Sequence, residues 1–147
     1  MGEDNLIGAW TLVSFEVRGS DGPTSHPFDQ DSQGLLIYDA EGNFSVQVGR
    51  AGRPKFSSGN MGDGTDSEVR SAYEGYIAYF GTYRVNDAEG YLTHDVELSL
   101  FPNWSGHAQK RYFELSAEGL TLTTPPTTFV LPKGVGGVTW KRLNRPK

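Results

Sequence analysis

Three short segments of the chain are nearly the same turn: Asp39-Ala40-Glu41-Gly42-Asn43, Asp87-Ala88-Glu89-Gly90 and Ser116-Ala117-Glu118-Gly119. Each carries a glycine where a hairpin loop needs a left-handed backbone, and each lies between β-rich runs. Three such hairpins commit the chain to antiparallel sheet. The flanking runs are 34–39 with 43–49, 80–86 with 91–100 and 108–115 with 120–124, and the runs 9–17 and 138–143 bring the total to eight strands. An open sheet of that size leaves two edges unpaired, whereas closure removes both and leaves room for one small ligand. The pattern therefore predicts an all-β, eight-stranded antiparallel up-and-down barrel. The turns share the chemistry of tight loops and mark no internal repeat.

Between the third and fourth strands the period changes. Val69, Ala72, Tyr73, Tyr76 and Ile77 fall on one helical face. Thr65 with Glu68 fits a capping box, Asp66 is an alternative cap, and Gly81 stands just past the expected end. One short amphipathic helix over about 66–77 is expected against the barrel, with Gly75 weakening it. The connections 19–33, 50–64 and 127–137 are rich in Gly, Pro, Ser, Asp and Thr and longer than a hairpin requires, so the mouth of the barrel is expected among them.

A chain of 147 residues with 36% hydrophobic content supports one core, hence a single domain over 1–147. Eighteen acidic against thirteen basic residues give a net charge of -5, which repels phosphate backbones and anionic membrane surfaces, so nucleic acid and membrane are not expected partners. There is no cysteine, and with it no disulfide, thiolate nucleophile or cysteine-based zinc site. The opening MGEDNLIGAW lacks the basic and apolar regions of a signal peptide, and Leu6 stands where a myristoylation motif wants Ser or Thr. A cytoplasmic location is the expectation.

Alternation assigns the faces of several strands. Leu92, His94, Val96, Leu98 and Leu100 oppose Thr93, Asp95, Glu97 and Ser99; Gln109, Arg111, Phe113 and Leu115 oppose Lys110, Tyr112 and Glu114; Phe44, Val46 and Val48 oppose Ser45 and Gln47. Tyr83 and Val85 likewise oppose Thr82 and Arg84. The first strand is apolar on both faces and its parity stays open. The interior so read is apolar and aromatic with two ionisable members, His94 and Arg111, the pattern of a small-molecule site. The same pair has a plain structural reading, in which His94 bonds a neighbouring Tyr and Arg111 bridges to a carboxylate at the barrel end.

The opening Leu6-Ile7-Gly8-Ala9-Trp10 resembles the Gly-x-Trp start of the first strand in lipocalins and fatty-acid-binding proteins, and Arg142 matches the last-strand arginine that packs over that tryptophan at the closed end. The stretches Ala72-Tyr73-x-Gly75-Tyr76-x-Ala78-Tyr79-Phe80-Gly81-Thr82-Tyr83, Thr93-His94, Phe101-Pro102-Asn103-Trp104-x-Gly106 and Arg111-Tyr112-Phe113 are similar to those of the bacterial and fungal lipocalin-like domain family. That resemblance implies a calycin-type barrel with a ligand cavity. It leaves the activity open, because fold does not fix function.

Several features that suggest chemistry have plainer readings. His26, His94 and His107 have no spacing that gathers them with carboxylates, so no metal site is expected. Gly134-Val135-Gly136-Gly137 precedes a strand rather than opening a helix and reads as a flexible loop, and Ser14, Ser45 and Ser99 show no nucleophile elbow. Trp104, in a Pro/Gly loop, is either a lid or a plug.

Two functions follow. In the first, the barrel binds a small apolar or amphipathic molecule with Tyr38, Phe44, Tyr76, Tyr83, His94, Leu98, Trp104, Arg111 and Phe113 as its contacts. In the second, a cofactor-independent isomerase or cyclase acts on a polyketide- or terpene-like metabolite, with His94 transferring a proton and Arg111 or Tyr83 stabilising an oxyanion. No cofactor is needed in either, and a homodimer is compatible with both.

Overall fold

A computed structural model describes residues 5–19, 22–125 and 134–144. Nine strands appear among them: β1 (Gly8–Gly19), β2 (Thr24–Ser25), β3 (Gln33–Tyr38), β4 (Asn43–Gly49), β5 (Tyr76–Asn86), β6 (Tyr91–Ser99), β7 (Ala108–Ser116), β8 (Gly119–Thr123) and β9 (Gly134–Arg142). Strands β1 and β3 to β9 pair each with the next, all antiparallel, and β9 pairs back onto β1, closing an eight-stranded barrel. The two-residue β2 adds only to the far end of β1, at Val17 and Arg18.

The alternation of up and down strands sorts the connections by length. The three tight turns all lie at one end, where Gly42 and Gly90 have φ of 93° and 74°, values that glycine adopts without steric cost. The long connections, with the helix and the 3-10 turn Pro102–Trp104, all lie at the other. The barrel therefore has a closed end and a mouth. Of the loop expected over 127–137, residues 127–133 lie outside the described residues, and Gly134 to Gly137 belong to β9 rather than to a flexible loop.

The closed end is sealed by Trp10 and Arg142, which face each other across β1 and β9. The guanidinium lies 4.0 Å from the Trp10 ring centroid. It also donates to the carbonyls of Ile7, at 2.6 Å, and Asn5, while the indole Nε1 of Trp10 donates to Leu6 at 2.9 Å. Gly8 has φ 132°, and a Cβ there would come within 2.7 Å of Arg142 Nη1, so the glycine of Gly-x-Trp is what lets the arginine reach the backbone.

Two β-bulges settle the parity that alternation alone left open or misjudged. In β1 the register against β9 shifts between Leu12 and Ser14, extruding Val13, which is 51% exposed; Trp10 and Leu12 face inward before the bulge, and Phe15 and Val17 after it. In β6 Val96 pairs with Gly81 but Leu98 with Phe80, so Glu97 is the extra residue. Leu98 and Leu100 consequently face outward, Leu98 being 59% exposed beside Phe80, and the inward reading of both is corrected.

The helix α1 (Asp66–Glu74) has the expected capping box, with Thr65 and Glu68 satisfying each other's backbone N–H. It ends one turn earlier than its apolar period suggests. Gly75 is its C-cap, and Tyr76 and Ile77 already belong to β5. No residue of α1 is fully buried, and Val69 and Tyr73 are about half exposed, so the helix contributes to the rim of the mouth rather than to the core.

Candidate functional site

The inward faces of β3, β4, β5 and β9 converge on a cavity with ≈ 430 Å³ of empty volume, including the part open to solvent. Leu36, Val46, Val48, Leu122 and Val138 supply aliphatic wall; Phe15, Tyr79 and Trp140 supply aromatic wall. Two ionisable side chains join them, His94 and Arg111. The lining is apolar with few convergent polar groups, the composition of a small-molecule site. Ile77 belongs both to this cavity and to an open groove at the mouth, bounded by Phe28, Tyr73, Phe101 and Trp104.

His94 is buried at 1% exposure and held on three sides. Its ring stacks on Phe44 at 4.1 Å and 13°, meets Tyr79 edge-on at 6.0 Å, and its Nε2 lies 2.7 Å from the Tyr38 hydroxyl. Its Nδ1 is buried and has no hydrogen-bond partner. Burial, aided by the nearby Arg111 guanidinium, holds the His94 pKa well below the usual histidine range, so the ring is neutral. Burial likewise pushes the Tyr38 phenol well above its usual value, with Tyr79 acting in the same direction. Arg111 pairs across to Leu92 and turns its guanidinium back along its own strand, Nη2 donating to Gln109 Oε1 at 2.7 Å and Nη1 to the Lys110 carbonyl at 2.9 Å.

Of the contacts expected from sequence, His94 and Arg111 line the cavity directly. Tyr38 and Phe44 stand behind His94 and fix its plane. Tyr83 is buried but gives its hydroxyl to the Asp39 carbonyl at 2.8 Å and packs against Tyr38 at 4.6 Å, bracing the closed end. Phe113 packs against the core from β7, and Trp104 stands at the mouth, edge-on to Tyr79 at 5.5 Å. Tyr76 lies outside the cavity. It belongs to the outward parity of β5, donates to Gln47 Oε1 and sits 4.7 Å beneath the Arg53 guanidinium. Leu98, turned out by the bulge, is outside as well.

Sequence reasoning passed over Phe15, Ile77, Tyr79 and Trp140. The β1 bulge hid the first, the overlong helix took in Ile77, and Tyr79 fell just before the strand expected to begin at Phe80. Trp140 shares the parity of Arg142, which was a usable signal. Phe28, 2% exposed, was also missed; it packs edge-on against Phe15 at 5.4 Å and covers the mouth.

The arrangement holds more readily than it transforms. The proposed proton carrier, His94, has one nitrogen committed to Tyr38, and Tyr83 has its hydroxyl committed to the backbone, so nothing in the geometry favours an isomerase or cyclase over simple binding. Among the described residues no three His, Cys, Asp or Glu side chains gather as a metal site, and no helix is long and apolar enough to cross a membrane.

The sequence profile of the lipocalin-like domain matches residues 7–143, and the chain belongs to that family. It is also 33% identical over 113 residues to the 4'-hydroxy-3'-methoxypropiophenone carrier protein ppsC of Aspergillus oryzae, an alignment covering 69% of this chain and 97% of that protein. Closed barrel, apolar cavity and carrier relative together define a barrel that binds a small, largely apolar molecule.

Proposed function

We propose that this protein is a carrier that holds a small aromatic molecule inside the barrel and releases it unchanged, in the reducing cytoplasm where a chain without cysteine needs no disulfide. The observation that carries the reading is the cavity itself: apolar walls, a neutral imidazole fixed flat by Phe44, and an aromatic gate at Tyr79, Trp104 and Phe28. Such walls suit a planar ring, which gains from offset and edge-on packing beyond the burial of its area. The ligand for which the relative is named, an aryl ketone with hydroxyl and methoxy groups, is of this class.

Equilibrium dialysis against 4'-hydroxy-3'-methoxypropiophenone, followed by chromatography of the bound fraction, tests the proposal. Saturable one-to-one retention with the ketone recovered intact supports it. Absence of retention, or recovery of an altered compound, contradicts it.

A further inference from the structure

Two buried nitrogens in the cavity wall have no hydrogen-bond partner, Trp140 Nε1 and His94 Nδ1. The indole nitrogen is a donor by its chemistry. The state of His94 Nδ1 follows from counting hydrogens. Tyr38 is fully buried, and among the described residues its hydroxyl has one partner, His94 Nε2. Were the imidazole hydrogen on Nε2, the Tyr38 hydrogen would have nowhere to go. A neutral ring has one hydrogen to place, so Tyr38 donates to Nε2 and the hydrogen resides on Nδ1.

Both unpartnered atoms are therefore donors, and the residues that carry them sit toward the closed-end halves of their strands. Trp140 pairs with Leu12 and Leu120, near the ends of β9 and β8, and His94 pairs with Tyr83. A buried donor left unmet carries a desolvation penalty that an apolar wall of the same shape would not. Two of them on residues that line one largely apolar cavity, beside Arg111, are a binding pattern.

We propose that Trp140 Nε1–H and His94 Nδ1–H read the carried molecule by its acceptor oxygen: the cavity takes a ketone- or ester-type carbonyl, oxygen first, with the apolar body toward the mouth. This rests on the carrier reading and adds to it the two atoms that set specificity. A hydrocarbon of equal size fits the walls and leaves both donors unmet.

Propiophenone and propylbenzene, which differ only in the carbonyl, are the probes, titrated calorimetrically into the parent protein and into Trp140→Phe. In a cavity without donors the hydrocarbon wins, because the ketone gives up its bonds to water for nothing. The parent should instead bind propiophenone at least as tightly, and Trp140→Phe should lower the ketone-to-hydrocarbon affinity ratio on the order of tenfold. Propylbenzene binding by the variant reports that its barrel is intact. In the parent alone, the Trp140 indole N–H proton resonance should move downfield with propiophenone and not with propylbenzene. A parent that prefers the hydrocarbon, a ratio unchanged in the variant, or an indole resonance indifferent to the ketone overturns the inference and leaves the carrier reading standing; binding of neither probe brings down both.

Discussion

Trp10 and Trp140 are equally buried, each 1% exposed, on strands that pair with one another. Trp10 has everything an indole can ask for: its N–H donates to Leu6 and its face is covered by Arg142. Trp140 has packing on its faces and no partner for its N–H. The first belongs to the seal of the barrel, which only has to stay closed, and its N–H is met from within the chain. The second belongs to the cavity wall, where meeting that group internally would fill the space a ligand needs. Polar satisfaction thus separates the part of the core that stabilises from the part that recognises.

Substitutions at the two sites should diverge accordingly. Trp10→Ala should cost about 3–5 kcal/mol, the usual range for a buried aromatic, measured by chemical denaturation. A Trp10→Ala protein as stable as its parent would break the comparison at its stabilising side.

Next in size is a pH effect confined to the cavity region. Unfolded, His94 takes up a proton below about pH 6.5, while the buried ring resists it; the unfolded state then binds more protons, and stability, complete above that pH, falls as pH drops at up to about 1.4 kcal/mol per unit. The lowered carboxylates of Asp39, Glu68 and Asp95 act at more acid pH, so the interval from about 6.5 to 5 isolates the histidine. Denaturation midpoints over that interval should slope in the parent and in Trp10→Ala, and flatten in His94→Gln. A parent with no slope there would mean that His94 charges without cost.

The smallest stability difference sharpens the comparison most. Trp10→Phe strands the Leu6 carbonyl and should cost about 1–3 kcal/mol, whereas Trp140→Phe removes an unmet donor as it removes volume, and should fall within about 1 kcal/mol of the parent. Equal losses in both would show that the two indoles are alike after all.

The strands and the closed end were legible because their signals are short motifs: glycine turns at fixed offsets, alternation within a strand, and a Gly-x-Trp whose glycine makes room for an arginine 134 positions along the chain and adjacent only in space. The cavity was legible in part. His94 and Arg111 follow from strict alternation, but Val13 and Glu97 are bulges, and no period announces an extra residue that is paid for by the partner strand's twist. Tyr76 and Ile77 continue a helical pattern that Gly75 nonetheless ends, since the strand pairing of Tyr76 with Gly49 and Ile77 with Val48 outweighs one more turn of a helix that buries nothing fully. Tertiary pairing overrode local preference at each of these points.

The central claim is that the ligand sits inside the barrel, and one substitution in the wall addresses it. Val46, inward on β4 and lining the cavity, should become a plug as Val46→Trp. Titration of 4'-hydroxy-3'-methoxypropiophenone into the parent and into a Val46→Trp protein that keeps its β-sheet circular dichroism should show binding in the first and at least a roughly tenfold loss, about 1.4 kcal/mol, in the second. Equal affinity in the two proteins would place the molecule outside the cavity and contradict the account.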